Sequence, residues 1–353
     1  MDNIFPIQQH DFGLYICVMF SNILTSIAGI GGGVILLSFF LLFNYNIVYA
    51  IPLCISSILG NSYTRYLLLK SKKHYNQIDT LIDYSLILQI ITFNSSGSFI
   101  GYILNKIISD IIIKYIIMII LTIVILKTVI KTYYIYKKER TNNIRNVYID
   151  GISVTIDNSI TNYEIRNNHK IKSIWYKFII LLFYGIYCIF IPYKNISPVY
   201  IGLLQSTYCI ICGILVSFFN IEYQPSPNIK WNIINIQNIS ICSFLIGIIS
   251  TLCGIGGGIL ITPLLLNINI DYNIVLATTS LSTACSSLTS TLQYINNENY
   301  LYKKSILFCC LSSISSLLGL KVYKYYNNIL KSKVYIISLL LFLMIISLIL
   351  LIV

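Results

Sequence analysis

The chain has 353 residues, of which 56% are hydrophobic and only 10% charged, with a formal charge of +12. A soluble domain carries about 25% charged residues, so this chain has too few to cover a water-facing surface. Its basic residues fall in loops between apolar runs, the pattern of segments that flank membrane helices. The partner this implies is the lipid bilayer, and nucleic acid is set aside.

In chain order, residues 1–11 hold Asp2 and Asp11 and no Lys or Arg. A cleavable signal opens on a basic stretch, so the first helix is expected to stay in the mature protein. The first apolar run covers 12–43 and is interrupted by Gly29, Gly31, Gly32 and Gly33. Runs follow at 47–69, 80–104 and 111–136, near the ~20 residues that cross a bilayer core. Residues 137–174 carry Lys137, Lys138, Arg140, Arg145, Arg166, Lys170 and Lys172 among many Asn, and read as a mobile basic cytoplasmic linker. Further runs lie at 175–192, 198–220, 237–268 (interrupted at 254–258), 273–295, 304–320 and 334–353. The expected fold is all-α and polytopic: a first transmembrane half over 1–136, the linker over 137–174, and a second half over 175–353.

The two halves resemble each other. Gly29-Ile-Gly-Gly-Gly-Val-Ile-Leu36 in the first matches Gly254-Ile-Gly-Gly-Gly-Ile-Leu-Ile261 in the second. Downstream, Tyr45-Asn-Ile-Val-Tyr-Ala50 matches Tyr272-Asn-Ile-Val-Leu-Ala277. The glycine blocks lie 225 positions apart (29 to 254) and the tyrosine blocks 227 (45 to 272). Two matched blocks in the same order point to an internal duplication.

Glycine costs about 1 kcal/mol relative to Ala inside a helix, and lipid offers no partner to backbone groups released from the ladder. Such breaks persist where the freed groups line a cavity or bind a ligand. Consecutive glycine amides can curl into an anion-binding nest, and a helix starting at Val34 or Ile259 adds the positive end of its dipole. Two facing breaks near the midplane form a transporter design. The candidate substrate-binding residues are therefore Gly29, Gly31, Gly32, Gly33, Gly254, Gly256, Gly257 and Gly258, and Gly31 and Gly256 are expected to have to stay small. The alternative is close helix packing. A dinucleotide fingerprint is excluded by Val34 and Ile259 at the third glycine position, and no Gly-Lys-Ser/Thr follows for a phosphate loop.

Polar residues within the runs extend the candidate site. Asn22, Thr25, Ser26, Ser56, Ser57 and Asn61 lie near the first break, and Thr278, Thr279 and Ser280 join the site from the second half, as uncharged hydroxyl donors that can hold and release an anion. Each also has a plain reading as an interhelical hydrogen bond. Arg65 either snorkels to the interface, five positions before Lys70, or attracts anions from within; Lys127 has the same two readings. The ten cysteines all sit in apolar runs, as packing residues, and Cys209-x-x-Cys212 lacks the context of a redox motif. His10, His74 and His169 have no partners at metal spacing. No catalytic constellation, metal site or cofactor is expected, nor a buried carboxylate to relay protons.

At the glycine blocks the sequence resembles the TauE/SafE family of sulfite-exporter-like membrane proteins. The resemblance is carried by Gly254-Ile-Gly-Gly-Gly-Ile-Leu-Ile-Thr-Pro263 and, less closely, by its first-half copy, where Ser38 stands at the position of Pro263. It implies two related halves and movement of sulfur-containing anions such as sulfite, thiosulfate or sulfonates.

If both broken segments are re-entrant, eight full crossings are expected, with residues 70–79, 137–174 and 321–333 in the cytoplasm. If both span, there are ten. Three functions stay open: a secondary transporter of small anions by alternating access, an anion channel, and a non-transporting membrane scaffold or receptor. An enzyme is not expected.

Overall fold

The computed structural model describes residues 9–28, 32–70, 81–148, 198–223, 231–268, 270, 272–295, 300–329 and 334–352. Gly29, Gly31, the run at 175–192 and residues 149–174 of the linker lie outside them. Among the described residues there are eleven helices and no strand. They are α1 (Gln9–Ala28), α2 (Gly33–Leu42), α3 (Ile47–Leu69), α4 (Tyr84–Ile107), α5 (Asp110–Tyr148), α6 (Pro198–Tyr223), α7 (Ile233–Leu252), α8 (Gly258–Asn267), α9 (Tyr272–Ile295), α10 (Tyr302–Ile329) and α11 (Val334–Ile352). Six stretches, in α3, α4, α5, α6, α7 and α10, are long and apolar enough to cross a membrane. The protein is a multi-pass integral membrane protein.

Hydropathy explains that helices form; small residues explain where they sit. α3 and α4 are mostly buried inside the bundle, whereas α5, α6 and α10 turn Ile111, Ile119, Ile123, Phe218 and Ile306 outward. In lipid there is no hydrophobic drive between helices, so close backbone approach through small residues has to hold them. Gly97 and Gly101 of α4 lie against the backbone at Phe244 and Ile248 of α7, and Gly247 of α7 lies against the carbonyl of Asn94. In the other half-interface, Gly319 of α10 sits against the carbonyl of Ile23 in α1, and Gly60 of α3 against that of Cys309 in α10.

The packing has a two-fold plan that crosses the repeat. α4 packs on α7 as α10 packs on α1, α4 on α9 as α10 on α3, and α5 on α8 as α11 on α2. Each broken helix thus rests on an element of the opposite half.

The first broken segment doubles back. Gly13 near the start of α1 faces the Phe43 ring after α2, and Gly32 faces Thr25 near the end of α1. These two pairings run antiparallel, as in a re-entrant hairpin. In the second segment one apolar cluster joins Trp231 and Ile236, at the start of α7, to Leu265 and Ile270, at the end of α8.

Two differences from the sequence reading concern α5 and the α3–α4 junction. α5 continues to Tyr148, twelve residues into the stretch read as linker. Lys, Glu and Arg are good helix formers, and no Gly or Pro intervenes before Gly151. At ~1.5 Å per residue its 39 residues reach about 58 Å, well past a ~30 Å hydrocarbon core. Asp83, in contrast, is a buried carboxylate that sequence reasoning did not expect. It caps α4, its side chain accepting from the Leu86 amide at 3.2 Å.

The glycine contacts make a direct prediction. A methyl at Gly247 has nowhere to go but into the Asn94 carbonyl, so Gly247→Ala should cost about 2–3 kcal/mol and lower the apparent Tm of the solubilised protein. Gly13→Ala meets only the edge of the Phe43 ring at 3.3 Å, which can turn aside, and should leave Tm nearly unchanged. Equal effects from the two variants would refute this picture of the interface.

Candidate functional site

The two breaks meet. Gly33, the first residue of α2, lies directly on the backbone carbonyl of Ile255 in the second break, and the Ile58 side chain of α3 wedges beside both Gly33 and Gly256. Gly254 packs one level away, on Ile51 of the same α3 face. Among the described residues, three glycines hold left-handed backbone: Gly32 at φ 68°, Gly254 at φ 65° and Gly256 at φ 73°. An L-residue pays roughly 1–2 kcal/mol for that conformation, which accounts for glycine at these positions.

The second break shows how the freed backbone is handled. α7 ends with Gly254 in the left-handed position and the Ile255 amide donating back to the Ser250 carbonyl at 3.1 Å, the longer bond of a Schellman cap. Two further carbonyls are met by side chains. The Tyr294 hydroxyl donates to Thr251 O at 3.1 Å, and Asn105 Nδ2 donates to Leu252 O at 2.8 Å. The carbonyl end of the break is therefore satisfied. The amide end is not: among the described residues no acceptor meets the N–H groups of Gly256, Gly257 and Gly258. Amides gathered at a helix start make a seat for negative charge.

Around the first break the polar side chains close on one another. Asn61 Nδ2 donates to Asn22 Oδ1 at 2.9 Å and to Thr25 Oγ1 at 3.3 Å, and Ser26 Oγ donates to Asn61 Oδ1 at 2.8 Å. Asn22 Nδ2 in turn reaches Ser312 Oγ of α10 at 3.0 Å, and Ser57 is hydrogen-bonded to the same Ser312 hydroxyl. This network pins α1, α3 and α10 together.

The sequence-predicted residues fall as follows. Gly32, Gly33, Gly254, Gly256, Gly257 and Gly258 converge, while Gly29 and Gly31 lie outside the described residues. Thr279 and Ser280 turn their hydroxyls to their own helix, to Leu276 O and Ala277 O. Thr278 Oγ1 accepts from the Asp83 amide at 3.3 Å. Arg65 does not snorkel: it is fully buried, with Nη2 toward Leu276 O at 3.5 Å. The end of α3 exposes Tyr63, Leu67 and Leu68, but Arg65 turns into the bundle, toward α9. Arg65 and Asp83 thereby meet the same turn of α9. Lys127 lies on α5. Cys209 and Cys212 lie on α6 and are not disulfide-bonded among the described residues.

Sequence reasoning missed the polar patch Asn94-Ser-Ser-Gly-Ser98 in the middle of α4, all of it buried, with Gly97 against α7. It also missed Gln89, whose Nε2 donates to Ser217 and Ser240 at 2.7 Å each and ties α4 to α6 and α7. The signal was present: five small polar or glycine positions in a row inside an apolar run. Among the described residues no group of His, Cys, Asp or Glu is arranged to hold a metal.

The chain matches the family model described as Sulfite exporter TauE/SafE over residues 14–222 and 239–352, both halves and both glycine blocks included. It belongs to the TauE/SafE family. This is a family of sulfite-exporter-type membrane transporters rather than enzymes. No curated protein and no solved structure matches the chain. In this TauE/SafE protein the glycine blocks that carry the resemblance are thus the same segments that the fold brings into backbone contact.

Proposed function

We propose that the protein is a secondary transporter of small sulfur-containing anions, sulfite, thiosulfate or a sulfonate, which bind where the two helix breaks meet and cross by alternating access. The observation that carries this reading is the seating of Gly33 on the Ile255 carbonyl, with Ile58 against Gly256. It brings two duplicated, backbone-exposing breaks from opposite halves to one place, deep within a lipid-embedded bundle. Such a place supplies amide donors and helix dipoles without a fixed cation, so an anion is attracted yet can leave. The crossed packing of the halves also gives a route for motion, because a tilt of one hairpin is felt first by helices of the other half.

The test is flux into proteoliposomes of labelled sulfite, thiosulfate, sulfate and taurine. Saturable uptake of one sulfur anion, lost in a folded Gly256→Leu variant, is the expected result. Flux that rises without saturation would instead indicate a channel. Absence of flux for every anion, with Gly256→Leu altering assembly alone, would favour a scaffold.

A further inference from the structure

We infer that the anion is held on one side of the pseudo-two-fold axis, at the second break, by the carboxamide of Asn94. This rests on the transport reading above and adds to it the residue that recognises the substrate.

Asn94 lies near the middle of α4 and is 0% exposed. Among the described residues neither Nδ2 nor Oδ1 has a hydrogen-bond partner. A buried amide left in that state costs about 1–3 kcal/mol per group, and in a lipid-embedded core it marks a place where something polar is expected to bind. Its direction is defined. Nδ2 lies 3.1 Å from where a Cβ of Gly257 would stand, and Ser286 Oγ of α9 lies 3.5 Å from the same point. Gly257 is the middle of the three residues whose amides are open. One turn before Ser286 on α9, the buried hydroxyl of Ser282 is also without a partner. The groups that close over Gly257, within 3.1–3.5 Å of where a methyl would stand, are Asn94 Nδ2, Ile261 Cδ1 and Ser286 Oγ. The Ser286 proton goes to Thr283 O at 3.2 Å, so the donors here are the carboxamide and the amides that start α8.

The equivalent place in the first half is built differently. There the asparagine comes from the broken helix itself, as Asn22, and its carboxamide is consumed by Ser312 and Asn61. In the second half the corresponding position of the broken helix is Gly247, and the asparagine comes from the facing helix, where Gly247 lies against it. The duplication has thus diverged into one locked asparagine cluster and one open one. A ligand whose oxygens only accept, such as a desolvated oxyanion, complements Nδ2 and the open amides, while Oδ1 stays turned toward Gly247.

The experiment uses the full-length protein in proteoliposomes and in detergent, with sulfite as the first probe and thiosulfate and sulfate beside it. Asn94→Leu removes the orphaned amide at similar volume, and Asn94→Asp keeps the shape but adds a negative charge. Both are expected to fold, with an apparent Tm for Asn94→Leu at or above wild type, because an unsatisfied buried group has gone. Both should raise KM for the transported anion at least tenfold and abolish the Tm increase that the anion gives wild type. Asn94→Leu with wild-type KM would overturn the assignment while leaving transport intact. A wild type that binds and moves none of the anions would bring down the transport reading itself. A fall in Tm for Asn94→Leu with KM unchanged would make Asn94 a packing residue and likewise refute the assignment.

Discussion

Gly33→Leu will abolish transport, and Gly33→Ala will already reduce it at least tenfold. The position is helical, so no backbone strain is involved; the cost is purely spatial. A Cβ there would overlap the Ile255 carbonyl and lie 2.6 Å from Ile58 Cδ1. Ile58 can rotate away, but the carbonyl belongs to the backbone of the other break and cannot move without shifting α7 or α8. Overpacking of this kind costs about 1–3 kcal/mol and sometimes more, so alanine should lower Tm while leucine separates the breaks. Flux measured on variants that remain monodisperse in detergent distinguishes lost geometry from lost protein. Gly254→Ala is the useful comparison, since it adds left-handed strain of about 1–2 kcal/mol with nearest contacts of 3.1–3.2 Å to Ile51. A Gly33→Ala protein with full flux would show that the contact between the breaks has no part in transport.

Arg65→Ala will be the most destabilising change of a charged residue in the protein. The side chain is among the largest that are wholly buried, and it reaches Leu276 O across the α3–α9 interface. Truncation leaves a cavity and removes the donor to Leu276 O, and cutting a large buried side chain back to alanine costs about 2–5 kcal/mol. Arg65→Met, which fills most of the volume, separates the two roles open to this residue. If the guanidinium also draws anions inward, Arg65→Met will fold yet transport several-fold less at low anion concentration. A folded Arg65→Met with wild-type flux at all concentrations confines the residue to structure. Along α3, Ile58, Asn61 and Arg65 stand at i, i+3 and i+7, so the face that meets the breaks also carries the buried charge.

Much of the architecture could be read from residue order because lipid imposes simple demands on length and polarity. The bounds of α3, α9 and α11 follow directly from their apolar runs, and the duplicated glycine blocks fall between α1 and α2 and between α7 and α8. What hydropathy does not encode is which helix lies at the centre. For Arg65 the sequence leaves both snorkelling and anion attraction open, because its distance from Lys70 is visible there, whereas the packing of α3 against α9 and α10 is not. Asn94 was overlooked for a related reason: a polar cluster in an apolar run signals a polar interior, but not that one carboxamide within it lacks a partner. The contrast between Asn22 and Asn94 emerges only when Ser312 and Gly247 are seen opposite them.

The crossed packing of the halves has a consequence for biosynthesis. Asn22 is paired with Ser312, 290 residues later in the chain, and at about 5–20 residues per second the ribosome takes roughly 15–60 s to deliver that partner. Throughout that interval α1 sits in or near the membrane with the Asn22 carboxamide short of its Ser312 partner, although its hydroxyls bond back to α1 carbonyls and Asn61 of α3 arrives early. The first half therefore cannot mature as a finished domain while the second is being made. Its hairpin must be shielded by translocation or quality-control machinery, or stay near the interface, until α10 arrives. Separately expressed halves should accordingly be short-lived alone and recoverable together.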